Sequence, residues 1–118
     1  MAVRSPVFIF TQTPVANASA REGVEALLAC AAFDLQPSVM FIDQGVLQLL
    51  PQGEAPGSKN LNKMLQALEL YGVEGIYVCQ SSLSQFGLTS ADINPCGQLI
   101  KPSERAAILA NASWVANF

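Results

Sequence analysis

Histidine is absent from all 118 residues of the chain. Imidazole is the usual base that activates a nucleophilic cysteine, and it is one of the commonest ligands of zinc. Its absence excludes a Cys–His nucleophile pair and any zinc site that needs imidazole. A reactive cysteine in this chain would therefore act as a carrier or acceptor thiol, activated by backbone groups.

Charge is also scarce, because only 13% of the residues are charged and the formal net charge is −3. The basic side chains form no stripe, which argues against direct nucleic-acid binding by this chain alone. With 51% hydrophobic residues, the small charged surface predicts that partner subunits cover part of it, although a compact monomer with a large core remains open. The six basic residues are Arg4, Arg21, Lys59, Lys63, Lys101 and Arg105.

The three cysteines, Cys30, Cys79 and Cys96, follow no regular spacing. They form neither a disulfide framework nor a metal-binding motif, so we expect no metal and no other cofactor, and a reducing compartment. Residues 1–6 lack the apolar segment of a signal peptide, and no apolar run approaches transmembrane length. The expected location is the cytoplasm, without membrane contact.

The most informative stretch is residues 76–83, a short apolar run that leads directly into a predicted helix. Ser81 or Ser82 is predicted to cap that helix, and Gly87 to end it in a left-handed turn. Cys79 then lies where a strand ends and a helix begins, the place where open α/β sheets put their chemistry. A free thiol has a pKa of about 8.5, which such surroundings lower. Cys79 is therefore the candidate catalytic residue, although a buried cysteine is often only a small inert hydrophobe.

Short apolar runs alternate with segments of helical periodicity along the chain. This alternation predicts one domain, residues 1–118, with an α/β, flavodoxin-like, doubly wound and mainly parallel sheet of about five strands and helices on both faces. Ser19 with Glu22 fits a capping box, and Gly23 is expected to permit close packing on the sheet. Predicted strands span residues 7–10, 39–42, 76–78, 98–100 and 114–118. Predicted helices span 20–33, 60–71, the segment after Cys79 and a last segment capped by Ser103. The predicted buried face of that last helix consists of Ala106, Leu109 and Ala110.

Apolar residues beside turns are the expected contact points for partner subunits, because regular elements do not enclose them. The short apolar segment 46–50 and the end of the helix after Cys79 supply them. The candidate interface residues are Val46, Leu47, Leu50, Phe86 and Leu88.

Two loops invite comparison with ligand-binding loops, residues 11–14 and 43–45. The first contains no glycine, and Pro14 lacks the backbone N–H that a phosphate-cradling loop would use. Asp43 follows a predicted strand and could line a site, but a lone aspartate there is more often a turn or cap residue. A flavodoxin-like small-ligand module thus remains an alternative.

Three stretches together resemble the DsrE/DsrF-like family. They are residues 21–29 (REGVEALLA), 41–51 (FIDQGVLQLLP), and 78–83 (VCQSSL) followed by Gly87 and Leu88. The middle stretch is the most specific, and the resemblance covers essentially the whole chain. At residues 85–88 this chain has Gln-Phe-Gly-Leu where the family often has Glu-Arg-Gly-Leu, so a basic residue near the thiol is missing.

The resemblance implies a role in a sulfur relay. Complexes of the TusBCD type accept persulfide sulfur from a small carrier protein and pass it toward 2-thiolation of the wobble uridine of tRNA. Related DsrEFH complexes serve sulfur oxidation, and both assemble as heterohexamers. By resemblance, this chain is a mainly structural subunit with TusB-like and TusD-like partners and is not catalytic alone. An active persulfide carrier using Cys79, or a subunit of a sulfur-oxidation complex, are the alternatives.

Overall fold

The computed structural model describes residues 6–12, 19–50, 64–65, 67–73, 75–93 and 97–118. Five strands form one parallel sheet in the order β4-β3-β2-β1-β5. This confirms the predicted α/β class with a parallel sheet. The strands are β1 (Val7–Phe10), β2 (Ser38–Phe41), β3 (Gly75–Cys79), β4 (Gln98–Ile100) and β5 (Val115–Asn117).

The α-helices with described bounds are α1 (Ser19–Ala32), α2 (Gln80–Gln85) and α3 (Pro102–Ala110), and residues 64–65 between β2 and β3 are also helical. Short 3-10 helices cover Asp43–Leu49, Glu69–Tyr71 and Ser90–Asp92. The predicted loop at residues 52–58, the turn at Pro14 and the start of the helix predicted at 60–71 lie outside the described residues. Ser19, the predicted cap of α1, is instead the first helical residue of α1.

Helix α2 ends as the sequence predicts. Gly87 has a φ of +68°, a backbone conformation that glycine adopts without steric cost. The Leu88 N–H donates to the Leu83 carbonyl and the Gly87 N–H donates to the Ser84 carbonyl, which together make a Schellman motif. The chain therefore turns sharply after only six helical residues.

The two faces of the sheet are covered unequally. The larger cluster packs α1 and α2 on one face through Val24, Leu27 and Leu83, against strand residues that include Phe8 and Val78. The opposite face carries a smaller cluster on which Ile108 and Leu109 of the α3 region pack. Its buried members are Val7, Ile9, Met40 and Ile100.

The connections that leave β3 and β4 lie on opposite faces of the sheet. The chain leaves β3 into α2 on the first face, and it leaves the neighbouring strand β4 into α3 on the second face. Side chains that follow these two neighbouring strands therefore meet at the carboxyl edge of the sheet, the edge at which open α/β folds place ligands. Cys79 is the last residue of β3.

The prediction for α3 is wrong in two details. Its N-cap is Lys101, with Pro102 in the first turn, so Ser103 is not the cap. Ala106 and Ala110 are exposed rather than buried. The larger Ile108 turns inward together with Leu109, because it covers more of the sheet than an alanine does.

Gly23 lies where α1 approaches the sheet most closely, as predicted. A Cβ atom there would collide with the Phe10 ring and would lie 2.7 Å from Cγ of Phe118. The absence of a side chain lets α1 seat directly on β1 and on the end of the chain.

Candidate functional site

Cys79 occupies the predicted position. It ends β3, an interior strand, and it is the N-cap residue of α2. Its side chain is 0% exposed. The thiol thus lies beneath the surface at the carboxyl edge of the sheet.

The two serines do not cap the helix, contrary to prediction, because its N-cap residue is Cys79, two residues before Ser81, and the helix has no side-chain cap. Instead, the Ser81 hydroxyl lies 3.2 Å from Cys79 Sγ. The buried Ser82 hydroxyl accepts a 2.9 Å hydrogen bond from the Asp43 backbone N–H. The Ser81 side chain therefore contacts the thiol and the Ser82 side chain contacts the loop after β2, and neither caps the helix.

The pKa of the Cys79 thiol is set by opposing effects. Burial raises it, whereas hydrogen bonds from the Ser81 and Ser82 side chains, the Ser82 N–H and the positive charge of Arg105 lower it. The effects that lower the pKa together outweigh burial, so the pKa of Cys79 lies below its ordinary value. By contrast, burial alone raises the pKa of the Cys30 thiol.

The contribution of Arg105 was missed by sequence reasoning. The absence of a basic residue at position 86 suggested a thiol without a cationic neighbour, but α3, on the opposite face of the sheet, brings one. The available signal was the position of Lys101 directly after a predicted strand, with Arg105 one helical turn later. Both cations follow the carboxyl end of β4, which is next to the end of β3.

A cleft of about 320 Å³ lies over the same edge of the sheet. Residues from the start of α2 and from the entry to α3 line it: Gln80, Ser81, Ser84, Lys101 and Pro102. Cys79 is not among them, but the Ser81 hydroxyl that contacts its sulfur is. The cleft is therefore separated from the thiol by one side chain.

The loops of the small-ligand alternative are not part of this cleft. The Thr11 N–H donates to the Phe118 carbonyl, and the Gln12 carbonyl accepts from Nε2 of the buried Gln48. A Cβ on Gly45 would collide with the Phe10 carbonyl, so this loop is packed against β1. Asp43 takes a φ of +50°, as a turn residue does.

The predicted interface residues differ widely in exposure. Phe86 is 36% exposed, and Leu47, Leu50 and Leu88 are half-buried. Val46 is 0% exposed and belongs to the larger core cluster, which corrects its assignment to the interface. The 3-10 helix turns this side chain toward the sheet, so it cannot meet a partner.

A stronger apolar surface lies at the opposite, amino-terminal edge of the sheet. Leu70 is 89% exposed, Phe33 is 79% exposed, and Tyr71 and Leu35 are more than two-fifths exposed. The end of α1 and the segment 69–71 are neighbours, since a Cβ on Gly72 would lie 4.0 Å from the Ala31 carbonyl oxygen. We call Phe33, Leu35, Leu70 and Tyr71 the amino-edge patch. Helical periodicity did not reveal it, because these residues follow the regular part of each helix.

Among the described residues, no three His, Cys, Asp or Glu side chains group as metal ligands would. None of the helices in the described part of the chain has the length and apolar character needed to cross a membrane.

Comparison with known proteins gives a consistent result. The profile of the DsrE/DsrF-like family matches residues 5–116. A protein of Vibrio vulnificus strain CMCP6 named "Protein TusC homolog" is 38% identical over 114 residues, which cover 94% of this chain and 96% of that protein. A protein of the same name from Vibrio parahaemolyticus serotype O3:K6 is 43% identical over 88 residues, covering 73% of this chain and 75% of that protein.

A solved structure supports the same fold. The crystal structure of the ychN protein from E. coli superposes with a TM-score of 0.77 and covers 98% of this chain and 99% of that one. The two sequences are 15% identical, so this likeness concerns the fold alone.

Proposed function

This chain belongs to the DsrE/DsrF-like family, and from that premise we propose that it is a TusC-like subunit of a multi-subunit sulfur relay that serves 2-thiolation of tRNA wobble uridine in the cytoplasm. The observation that carries the proposal is the 38% identity to a TusC homolog over 94% of the chain. It favours the TusC-like role over that of a sulfur-oxidation subunit.

The role of the chain in the relay is mainly structural, and Cys79 is not the main carrier of sulfur. Persulfide transfer requires direct contact between a thiolate and the sulfur atom that it attacks. The Cys79 side chain is 0% exposed and its sulfur lies against the Ser81 hydroxyl. The burial of the thiol therefore supports a chain that is not catalytic alone.

The partners are TusB-like and TusD-like subunits in a heterohexamer, with sulfur reaching the complex from a persulfide carrier protein. A homologous α/β subunit is the occupant that suits the exposed apolar side chains, because such interfaces bury aromatic and aliphatic residues at their centre. Phe86 and Leu88 at the end of α2, with Leu47 and Leu50, form one proposed contact. The amino-edge patch forms the other.

Assembly is tested by co-expression of the chain with tagged TusB-like and TusD-like subunits, followed by purification and native mass spectrometry. The expected result is a complex with two copies of each subunit. A wild-type chain that remains monomeric in the presence of both partners would refute the proposal.

One observation favours a second candidate function, that of an active persulfide carrier. Hydrogen bonds from two serines and the charge of Arg105 lower the pKa of Cys79, which raises the thiolate fraction at neutral pH. Incubating the assembled complex with a persulfide donor and measuring the intact mass of each subunit separates the two roles. A stable gain of one sulfur atom on this chain, absent from Cys79→Ser, would establish the carrier.

A further inference from the structure

The cleft between β3 and β4 has a lining that suits an anion. The lining residues of α2 offer a carboxamide and two hydroxyls, Gln80, Ser81 and Ser84, and Lys101 adds an ammonium group from the entry to α3. No carboxylate is among the lining residues. The Glu104 carboxylate is nearby, but it accepts a hydrogen bond from the Lys101 backbone N–H at the start of α3.

The cleft is positively charged although the whole chain is negatively charged. The formal net charge is −3, yet Lys101 and Arg105 both stand on this edge of the sheet. Arg105 acts on the site as a positive charge, since it helps to lower the pKa of Cys79. A small anion would meet hydroxyl and amide donors on one wall and an ammonium group on the other, where charge-assisted hydrogen bonds are the strong ones.

We infer that this cleft binds a small molecule bearing a tetrahedral oxyanion, with Lys101 as its charge partner and the Gln80 carboxamide and the Ser84 hydroxyl as donors. The cleft lies at the carboxyl edge of the parallel sheet, and its volume of about 320 Å³ lies at the small end of the usual range for ligand pockets. The inference goes beyond the proposed function and does not depend on it. The same chemistry suits a phosphate or a sulfur oxyanion.

The test is an NMR titration of the ¹⁵N-labelled full chain with sodium phosphate, sodium sulfate and sodium thiosulfate at constant ionic strength. Constant ionic strength is essential, because salt screens exposed charges. Lys101→Gln removes the ammonium group from the cleft. Gln36→Glu is the matched control, since it changes the net charge by the same amount at an exposed position on the amino-terminal edge of the sheet.

The inference predicts saturable shifts of the Ser81, Ser84 and Lys101 amides, with affinity about fivefold to tenfold weaker in Lys101→Gln and unchanged in Gln36→Glu. Ser84→Ala should weaken binding as well. Tighter binding of thiosulfate than of phosphate would identify a sulfur oxyanion as the ligand class, and the reverse order a phosphate. Shifts that do not saturate, or equal affinities in wild type and Lys101→Gln, would overturn the inference. Neither result bears on assembly with partner subunits, which is measured separately on the same variants.

Discussion

The Asp43 backbone N–H donates a 2.9 Å hydrogen bond to the Ser82 hydroxyl, 39 residues later in the chain. Asp43 follows β2 and has a φ of +50°, so this bond fixes a turn in a sparsely populated conformation. Because the Ser82 oxygen accepts from Asp43, its own proton is free to donate to the Cys79 sulfur. One hydroxyl thus joins the loop after β2 to the thiol at the end of β3.

Replacing Ser82 with alanine should destabilise the protein by about 1–3 kcal/mol, because it leaves the Asp43 N–H without its partner. Ser84→Ala is the control, since Ser84 is exposed on the same helix and its loss should change the free energy of unfolding by about 0.5 kcal/mol or less. Urea denaturation of both variants gives the two values. Equal stabilities would show that the hydroxyl does not support the turn.

The thiolate of Cys79 should form at lower pH than that of an ordinary cysteine. The pKa of the Cys79 thiol is lowered in the folded protein, so its thiolate is populated at a pH where a free thiol is still protonated. The ultraviolet absorbance of the thiolate, taken as wild type minus Cys79→Ser, measures this titration. Ser81→Ala removes a hydrogen bond to the sulfur and should move the midpoint upward, and Arg105→Gln should move it upward by an amount that shrinks with added salt. A midpoint that is at or above that of a free thiol, or insensitive to both variants, would contradict the assignment.

Gly23→Val should strongly reduce stability, by about 1–3 kcal/mol or more. The new side chain would collide with the Phe10 and Phe118 rings, which are stacked with centroids 5.7 Å apart. Ala29→Val is the control, because Ala29 is exposed on the same helix and the change costs mainly helix propensity. Thermal unfolding followed by circular dichroism compares the two. If Gly23→Val and Ala29→Val have the same melting temperature, α1 does not pack on β1 as described.

Charged replacements on the proposed contacts should separate assembly from folding. Leu70→Asp and Phe86→Glu alter exposed side chains, so the isolated chain should keep its fold while co-purification with TusB-like and TusD-like partners falls. Gln85→Glu adds the same charge beside Phe86 without removing an apolar group, and it should still co-purify. Val46→Asp should instead unfold the chain, because Val46 is 0% exposed. Wild-type stoichiometry in both Leu70→Asp and Phe86→Glu would remove these residues from the interface.

The predictability of the fold follows from local signals. The strand at residues 98–100 and the left-handed turn at Gly87 were predicted correctly, because each depends on neighbouring residues. The inward face of α3 was predicted wrongly. The helical pattern allows either alanine or isoleucine to face inward, and the choice depends on packing against the sheet. The burial of Val46 was missed for a similar reason, because a 3-10 helix does not follow the periodicity of an α-helix.

The candidate site was only partly predictable. The position of Cys79 at a strand–helix junction follows from a run of eight residues. The cleft and the effect of Arg105 depend on β4 lying beside β3, and no local pattern specifies that adjacency. The missing basic residue at position 86 therefore gave a misleading picture of the charge around the thiol.

The amount of 2-thiouridine in tRNA tests the central claim most directly. It is measured by mass spectrometry of nucleosides from cells that lack this chain and are complemented with wild type, Cys79→Ser or Leu70→Asp. A structural subunit of the relay predicts loss of the modified nucleoside in the deletion, recovery with wild type and with Cys79→Ser, and poor recovery with Leu70→Asp. Unchanged 2-thiouridine in the deletion would contradict a role in the relay, and failure of Cys79→Ser alone would contradict a mainly structural one.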